Sequence, residues 1–191
     1  MPHVTCTVDI AAPAASLFTL SQDYGRRQCW DPFLREAHLL DGAQRAAVGV
    51  RARCVAHNGL VMETTYVSFQ PPTVVAVKMT HGPRILSSFA GSWRFIELPV
   101  HAGLTRTRVV FRYRISSRPH WLSFLLDPLL AAVIKWETKR RLLAMKRVVE
   151  TTAILAGIRA ETVASGPPPA PSSAATDLCT RLPREQGTHH G

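Results

Sequence analysis

Residues 85–116 read ILSSFAGSWRFIELPVHAGLTRTRVVFRYRIS, and their alternation decides the fold. Between Ile85 and Leu98, the residues Phe89, Gly91, Trp93 and Phe95 fall on one side of an extended chain. Ser88, Ala90, Ser92 and Arg94 fall on the other. Pro99 ends that run and Gly103 opens the next, Leu104–Ser116. There Val109, Phe111, Tyr113 and Ile115 share a face opposite Arg106, Arg108, Val110, Arg112 and Arg114. A period of two held this long belongs to half-buried strands. The aromatic faces are expected to point to a core and the arginine face to water.

Working toward the N-terminus, four more runs have strand character and end at turn residues. Phe33–Leu40 leads into Asp41-Gly42, and Val48–His57 closes at Asn58-Gly59, a strong two-residue hairpin signal. Leu60–Phe69 stops at Pro71-Pro72 and Thr73–Thr80 at His81-Gly82-Pro83. His3–Ala11 alternates Val4, Cys6, Val8 and Ile10 with Thr5, Thr7 and Asp9, which predicts a first strand. Ala14–Ser21 then has Leu17, Phe18 and Leu20 at helical spacing. The segment from Tyr24-Gly25 to Cys29-Trp30-Asp31-Pro32 reads as a loop.

Toward the C-terminus the pattern changes to helix. Asp127 is a suitable N-cap and Pro128 fits a first turn, where its missing N–H costs nothing. From Leu129 to about Leu155 neither proline nor glycine intervenes. Leu130, Ile134, Thr138, Leu142, Met145, Val149 and Thr152 form a core-facing stripe, and Gly157 is the expected C-cap. Residues 158–191 are rich in Pro, Ser, Ala and Gly without period, and are expected to be a disordered tail after a 1–157 domain. Together these elements predict an α+β fold: a curved antiparallel sheet wrapped around a long C-terminal helix.

The 191 residues carry 23 Lys+Arg against 13 Asp+Glu, a net charge of +10. The tail is neutral. Between Leu104 and Arg147 there are eleven basic and two acidic residues, so nine of the ten net charges lie on the last strand and helix. The longest apolar run, Trp121–Ile134, is broken by Asp127 and Pro128, short of the ~20 residues a membrane span needs. The N-terminus lacks the basic-then-apolar pattern of a secretory signal. Cys6, Cys29, Cys54 and Cys179 contain no CxxC pair and are expected to be thiols in a reducing cytoplasm. No His/Asp/Glu cluster has metal-ligand spacing and no glycine-rich phosphate loop is present, so neither metal nor cofactor is expected.

In this order and spacing, several stretches together resemble one family. They are VDIAAPAASLFTLSQD at 8–23, Trp30-Asp31-Pro32, FAGSWRF at 89–95, GLTRT at 103–107 and Met145-Lys146 near the helix end. The chain resembles the START-like, or SRPBCC, superfamily of polyketide cyclases/dehydrases, lipid-transfer domains and coenzyme-Q-binding proteins. That resemblance implies a helix-grip fold with a cavity between sheet and helix for a hydrophobic small molecule such as a lipid, an isoprenoid quinone or a polyketide.

The candidate ligand-binding residues are Phe89, Trp93, Phe95, Phe111 and Tyr113 by strand parity, together with Tyr66, and with Trp30 and Trp121 bracketing loops at a possible mouth. Each ring serves equally well as ordinary core. In Leu60–Phe69, Met62, Thr64 and Tyr66 oppose Val61, Glu63, Thr65 and Val67, and parity alone leaves the inner set open. An outward Glu63 paired with an arginine is the preferred reading. His57, Glu63, His81, His120 and Tyr113 are the groups available for acid–base work, Tyr113 and Glu63 being the candidates a catalyst would use. None forms a recognisable nucleophile–base pair, which favours binding or transfer over catalysis. The enzymatic alternative is a cyclase/dehydratase acting on a polyketide-like substrate. A third reading is a basic-surface interaction protein that binds RNA, the ribosome or an anionic membrane. The basic face lacks interleaved aromatics, which argues against sequence-specific nucleic-acid binding. A solvated convex surface that keeps the protein soluble is the preferred reading of the charge, with peripheral contact with an anionic membrane as the alternative.

Overall fold

The computed structural model describes residues 3–101, 103–156 and 158. Seven strands form one antiparallel sheet: β1 (His3–Ile10), β2 (Leu34–Leu39), β3 (Arg51–Ala56), β4 (Val61–Gln70), β5 (Val74–His81), β6 (Leu86–His101) and β7 (Leu104–Ser117). The spatial order is β1-β7-β6-β5-β4-β3-β2, so β2 to β7 form a meander and β1 joins beside β7. Helix α1 (Ala14–Gln22) follows β1, and a four-residue helix α2 (Arg27–Trp30) precedes β2. Helix α3 (Ser123–Thr151) lies across the concave face, packed on β1 and β7. This is the helix-grip arrangement expected from the periodicity.

The β6–β7 pair has the predicted alternation. Trp93 pairs with Phe111 and Gly91 with Tyr113, all buried on the concave side. Arg106, Arg108, Arg112 and Arg114 stand exposed on the convex side. Gly91 is needed for packing: a Cβ there would come within 3.0 Å of the Phe111 ring and 3.3 Å of the Phe89 ring. The Asn58-Gly59 turn forms as read, with Gly59 at φ +82° and its N–H donating to Ala56. Pro99, expected to end β6, lies inside it. The register slips between Leu98 and His101, where proline has no N–H for the ladder.

Helix α3 begins earlier than its capping signal suggests. A 3₁₀ turn at His120–Leu122 runs directly into Ser123, so Pro128 falls within the second turn of the helix. Asp127 does not cap: its Oδ1 accepts the backbone N–H of Ser117 at 2.8 Å and ties the end of β7 to the helix. The inward stripe is Asp127, Ala131, Thr138, Leu142, Met145 and Val149, with Leu130 and Ile134 half-buried. The segment read as a loop before β2 contains α2. Of the predicted 158–191 tail the first residue, Ile158, is described and is buried in the core, while Gly157 and residues 159–191 lie outside the described residues.

Cys6 and Cys54 are free thiols, whereas Cys29 is disulfide-bonded, so the all-thiol expectation fails at Cys29. Among the described residues no helix is long and apolar enough to cross a membrane.

Candidate functional site: the interior of the grip

The concave face of the sheet is lined with aromatic rings that touch one another. Trp93 meets Phe111 at 4.7 Å between centroids and stacks on Phe95 at 6.3 Å. Tyr113 lies against Phe111 and Phe89, and Phe18 of α1 meets both Phe95 and Phe69 edge-on. Trp30, delivered by α2, meets Trp93 nearly perpendicular at 6.4 Å. Of the ligand-binding candidates, Phe89, Trp93, Phe95, Phe111, Tyr113, Tyr66 and Trp30 all reach this interior. Trp30 is buried at 2% exposure and is not a rim residue. Trp121 stands apart at 76% exposure, outside the grip at the start of α3.

Into this apolar interior the loop after α1 inserts a polar cluster that sequence reasoning missed. The Asp31 carboxylate, 1% exposed, accepts two hydrogen bonds from Arg141 of α3, at 2.9 and 2.6 Å, and a longer one of 3.5 Å from Arg27. Arg27 also donates to the backbone oxygen of Ser21 at 2.7 Å, and its guanidinium lies 5.1 Å from the Trp30 ring, 5.7 Å from Tyr24 and 6.0 Å from Trp93. Three aromatic faces around a buried cation stabilise it through their ring quadrupoles. Burial pulls Arg27 down, but Asp31 together with the nearby Tyr24, Cys54 and Tyr66 more than offsets this and keeps its pKa above the ordinary arginine value. Two guanidinium groups therefore share one carboxylate, and the cluster keeps a net positive charge.

Two phenols extend the cluster. Tyr66 donates to Gln22 Oε1 at 2.8 Å, and its oxygen lies 2.8 Å from the Tyr24 hydroxyl. Because the Tyr66 proton goes to Gln22, Tyr24 is the donor in the second bond. Burial pushes both phenols well up, so both stay protonated. Burial likewise raises the half-buried Cys54 thiol against the pull of Arg27. One donor in this neighbourhood has no acceptor: Trp30 Nε1 is buried and makes no hydrogen bond.

The two residues expected to serve a catalyst are otherwise engaged. Tyr113 donates its hydroxyl to the Ala131 carbonyl of α3 at 3.1 Å, and burial raises its pKa. Glu63 sits on the outward side of β4, where Oε1 accepts from Arg53 at 3.2 Å, while Tyr66 takes the inward side. His57 and His81 are exposed. Among the described residues no group of His, Cys, Asp and Glu is placed to hold a metal ion.

Two open grooves lie away from the interior. One of about 560 Å³ runs between Thr7–Asp9, Arg106, Arg108 and Lys146; the other, of about 360 Å³, is on the convex face near Val67, Ser92 and Arg112. Both are lined largely by charged or small side chains.

A family model described as polyketide cyclase / dehydrase and lipid transport matches residues 1–150. The chain belongs to that family. Solved structures agree on the fold. The family member is similar to the protein XoxI from Bacillus cereus, at 11% identity and TM-score 0.65, covering 79% of this chain and 97% of that one. A START superfamily protein from Mycobacterium smegmatis matches at 14% identity and TM-score 0.59, covering 78% and 97%. The Zhui aromatase/cyclase from a Streptomyces species matches at 20% identity and TM-score 0.59, covering 86% and 98%. Among curated protein sequences, none matches the chain. At these identities the neighbours establish the START-like helix-grip fold and nothing finer about the site.

Proposed function

We propose that this family member binds or transfers a hydrophobic small molecule inside the grip, and that the molecule carries an acceptor-rich or anionic head such as a quinone carbonyl, an enolate or a carboxylate. The unpartnered Trp30 Nε1 carries this reading. A buried donor without an acceptor costs roughly 1–3 kcal/mol, and the deficit is relieved when a ligand oxygen accepts from it. Beside it, Arg27 contributes positive charge that Asp31 shares with Arg141. The aromatic rings around this point suit an isoprenoid or polyketide body. Entry requires those rings to part, because they pack on one another.

Binding is preferred over cyclisation because the interior acid–base groups are committed. Asp31 is held by two arginines, Tyr113 by a helix carbonyl and Tyr66 by Gln22. A general base must be free to take a proton.

The test titrates the protein with decylubiquinone and with dodecanoate, and follows the four tryptophan indole N–H signals by NMR. The expected result is a downfield shift of the Trp30 signal, assigned through Trp30→Phe, with about tenfold weaker binding in that variant. Native mass spectrometry of protein from its own host should show an apolar co-purifying molecule. Four unmoved indole signals at saturation, together with a ligand-free mass, would refute the reading.

A further inference from the structure

Helix α3 has a second apolar face, and it points to solvent. Trp121 of the preceding 3₁₀ turn and Phe124, Leu125, Leu129, Val133 and Trp136 of α3 are between 56 and 79% exposed. Leu125, Leu129, Val133 and Trp136 recur at i, i+4, i+8 and i+11. They are two positions out of phase with the buried stripe Asp127, Ala131 and Thr138, roughly 200° around the helix. A surface helix of an isolated globular protein shows polar residues there. Contiguous exposed apolar residues of this size mark an interaction site.

The flanking charge selects the occupant. Lys135, Lys139 and Arg140 lie beside the stripe, and Arg140 stacks over the Trp136 ring at 5.8 Å. Neither Lys135 nor Lys139 has a salt-bridge partner among the described residues. The two acids of this half-helix are withdrawn: Asp127 is buried on Ser117, and Glu137 faces Arg140 at 3.8 Å with one oxygen buried. A second copy of the chain would bring these cations against their own counterparts. Tryptophan and phenylalanine beside lysine and arginine is the composition of a helix lying in the headgroup region of an anionic bilayer.

We infer that the outward face of the first half of α3, with Trp121, docks on an anionic membrane surface, lying in the interface and not crossing it. This places the membrane contact on an apolar helix face and not on the convex arginine face of β7. It needs no ligand in the grip, so its failure and that of the binding proposal are separable.

The experiment is vesicle co-sedimentation of the full chain at low salt. Vesicles of phosphatidylcholine with 30% phosphatidylglycerol should retain the protein at least tenfold better than pure phosphatidylcholine, and retention should fall steeply with added salt. The variants Leu129→Ser/Trp136→Ser and Lys135→Glu/Lys139→Glu should each lose at least tenfold, with circular dichroism unchanged. As a control, Arg112→Gln/Arg114→Gln on the convex face should lose less than threefold. The inference is overturned by no retention on anionic vesicles, by retention insensitive to the α3 variants, or by a sedimentation equilibrium dimer that Trp136→Ser abolishes. Cross-links from residues 159–191 to the stripe would also overturn it, by showing that the chain covers its own face.

Discussion

Replacing Asp31 by Asn removes one negative charge from the interior while keeping shape and size. The wild-type carboxylate receives two short bonds from Arg141 and a third contact from Arg27, and its side chain is fully buried. An amide can accept from one guanidinium only, and it turns its own N–H groups toward the other. Breaking a buried ion pair from one side costs about 3–5 kcal/mol, because the remaining charge stays out of water. With about 2.1 cal/mol/K of unfolding entropy per residue over ~150 ordered residues, that converts to a fall in Tm of roughly 10–16 °C. The assay is thermal unfolding by circular dichroism, with urea unfolding to check that the m-value is unchanged. Arg141→Met should cost less, since Asp31 retains Arg27, and the two changes combined should cost less than their sum by ~1–3 kcal/mol. A Tm within about 2 °C of wild type for Asp31→Asn, or strict additivity in the double variant, would refute the claim that one buried carboxylate is shared by both arginines.

Gly91→Ala should destabilise by about 1–3 kcal/mol, read from urea unfolding, because its methyl would press on Phe111 and Phe89, which are held by Trp93 and Tyr113. Thr107→Val should cost ~1–3 kcal/mol in the same assay, since the buried Thr107 hydroxyl donates to the Ala12 carbonyl at 2.6 Å and its loss strands that oxygen. The Arg108 guanidinium, hydrogen-bonded to Asp9, holds that carboxyl below its ordinary value. A depressed folded value gives stability that is present above the unfolded pKa and lost as pH falls through the folded one. Asp9→Asn should therefore flatten the acid limb of the stability–pH profile below about pH 4, and an unchanged limb would count against the pair.

The strands, their inner faces and the helix stripe were legible because each rests on a local period. The alternation of Trp93 and Phe95, or of Phe111 and Tyr113, is visible without knowing what lies opposite. Parity could not choose between Tyr66 and Glu63, because both faces of β4 mix polar with apolar residues. The structure decides through the partners each finds: Gln22 and Tyr24 for one, Arg53 for the other. The start of α3 was misplaced for a similar reason. Asp127-Pro128 is a valid cap in isolation, but the Ser117 N–H competes for the carboxylate, and that donor is ten residues away. The polar cluster was invisible for the same cause carried further. Arg27 and Asp31 are four apart on one short turn, which is suggestive, but Arg141 enters from a helix 110 residues on. One signal was available in RRQCWDPF at 26–33: basic residues, an aromatic and an acid within a segment that must cross the open end of the grip.

The distribution of charge connects the two faces of α3. Arg141 reaches inward to Asp31, while Lys139 and Arg140, its immediate predecessors, stay exposed beside the apolar stripe. One helical turn thus supplies both the cation that binds the interior carboxylate and the cations that would meet an anionic surface. Movement of α3 on such a surface would necessarily pull on Asp31 and, through it, on Arg27 and the Trp30 ring over which it stacks. Helix α3 is attached to the sheet through the Tyr113 hydroxyl at Ala131, through Asp127 at the Ser117 N–H, and near its far end by Lys146 to the Asp9 carbonyl. Replacing Tyr113 with Phe removes the first of these bonds. If surface docking and ligand exchange are coupled through α3, Tyr113→Phe should speed decylubiquinone exchange on anionic vesicles and leave it unchanged in their absence. Equal acceleration in both conditions would mean that the bond merely stabilises the closed grip and that the two faces of the helix act independently.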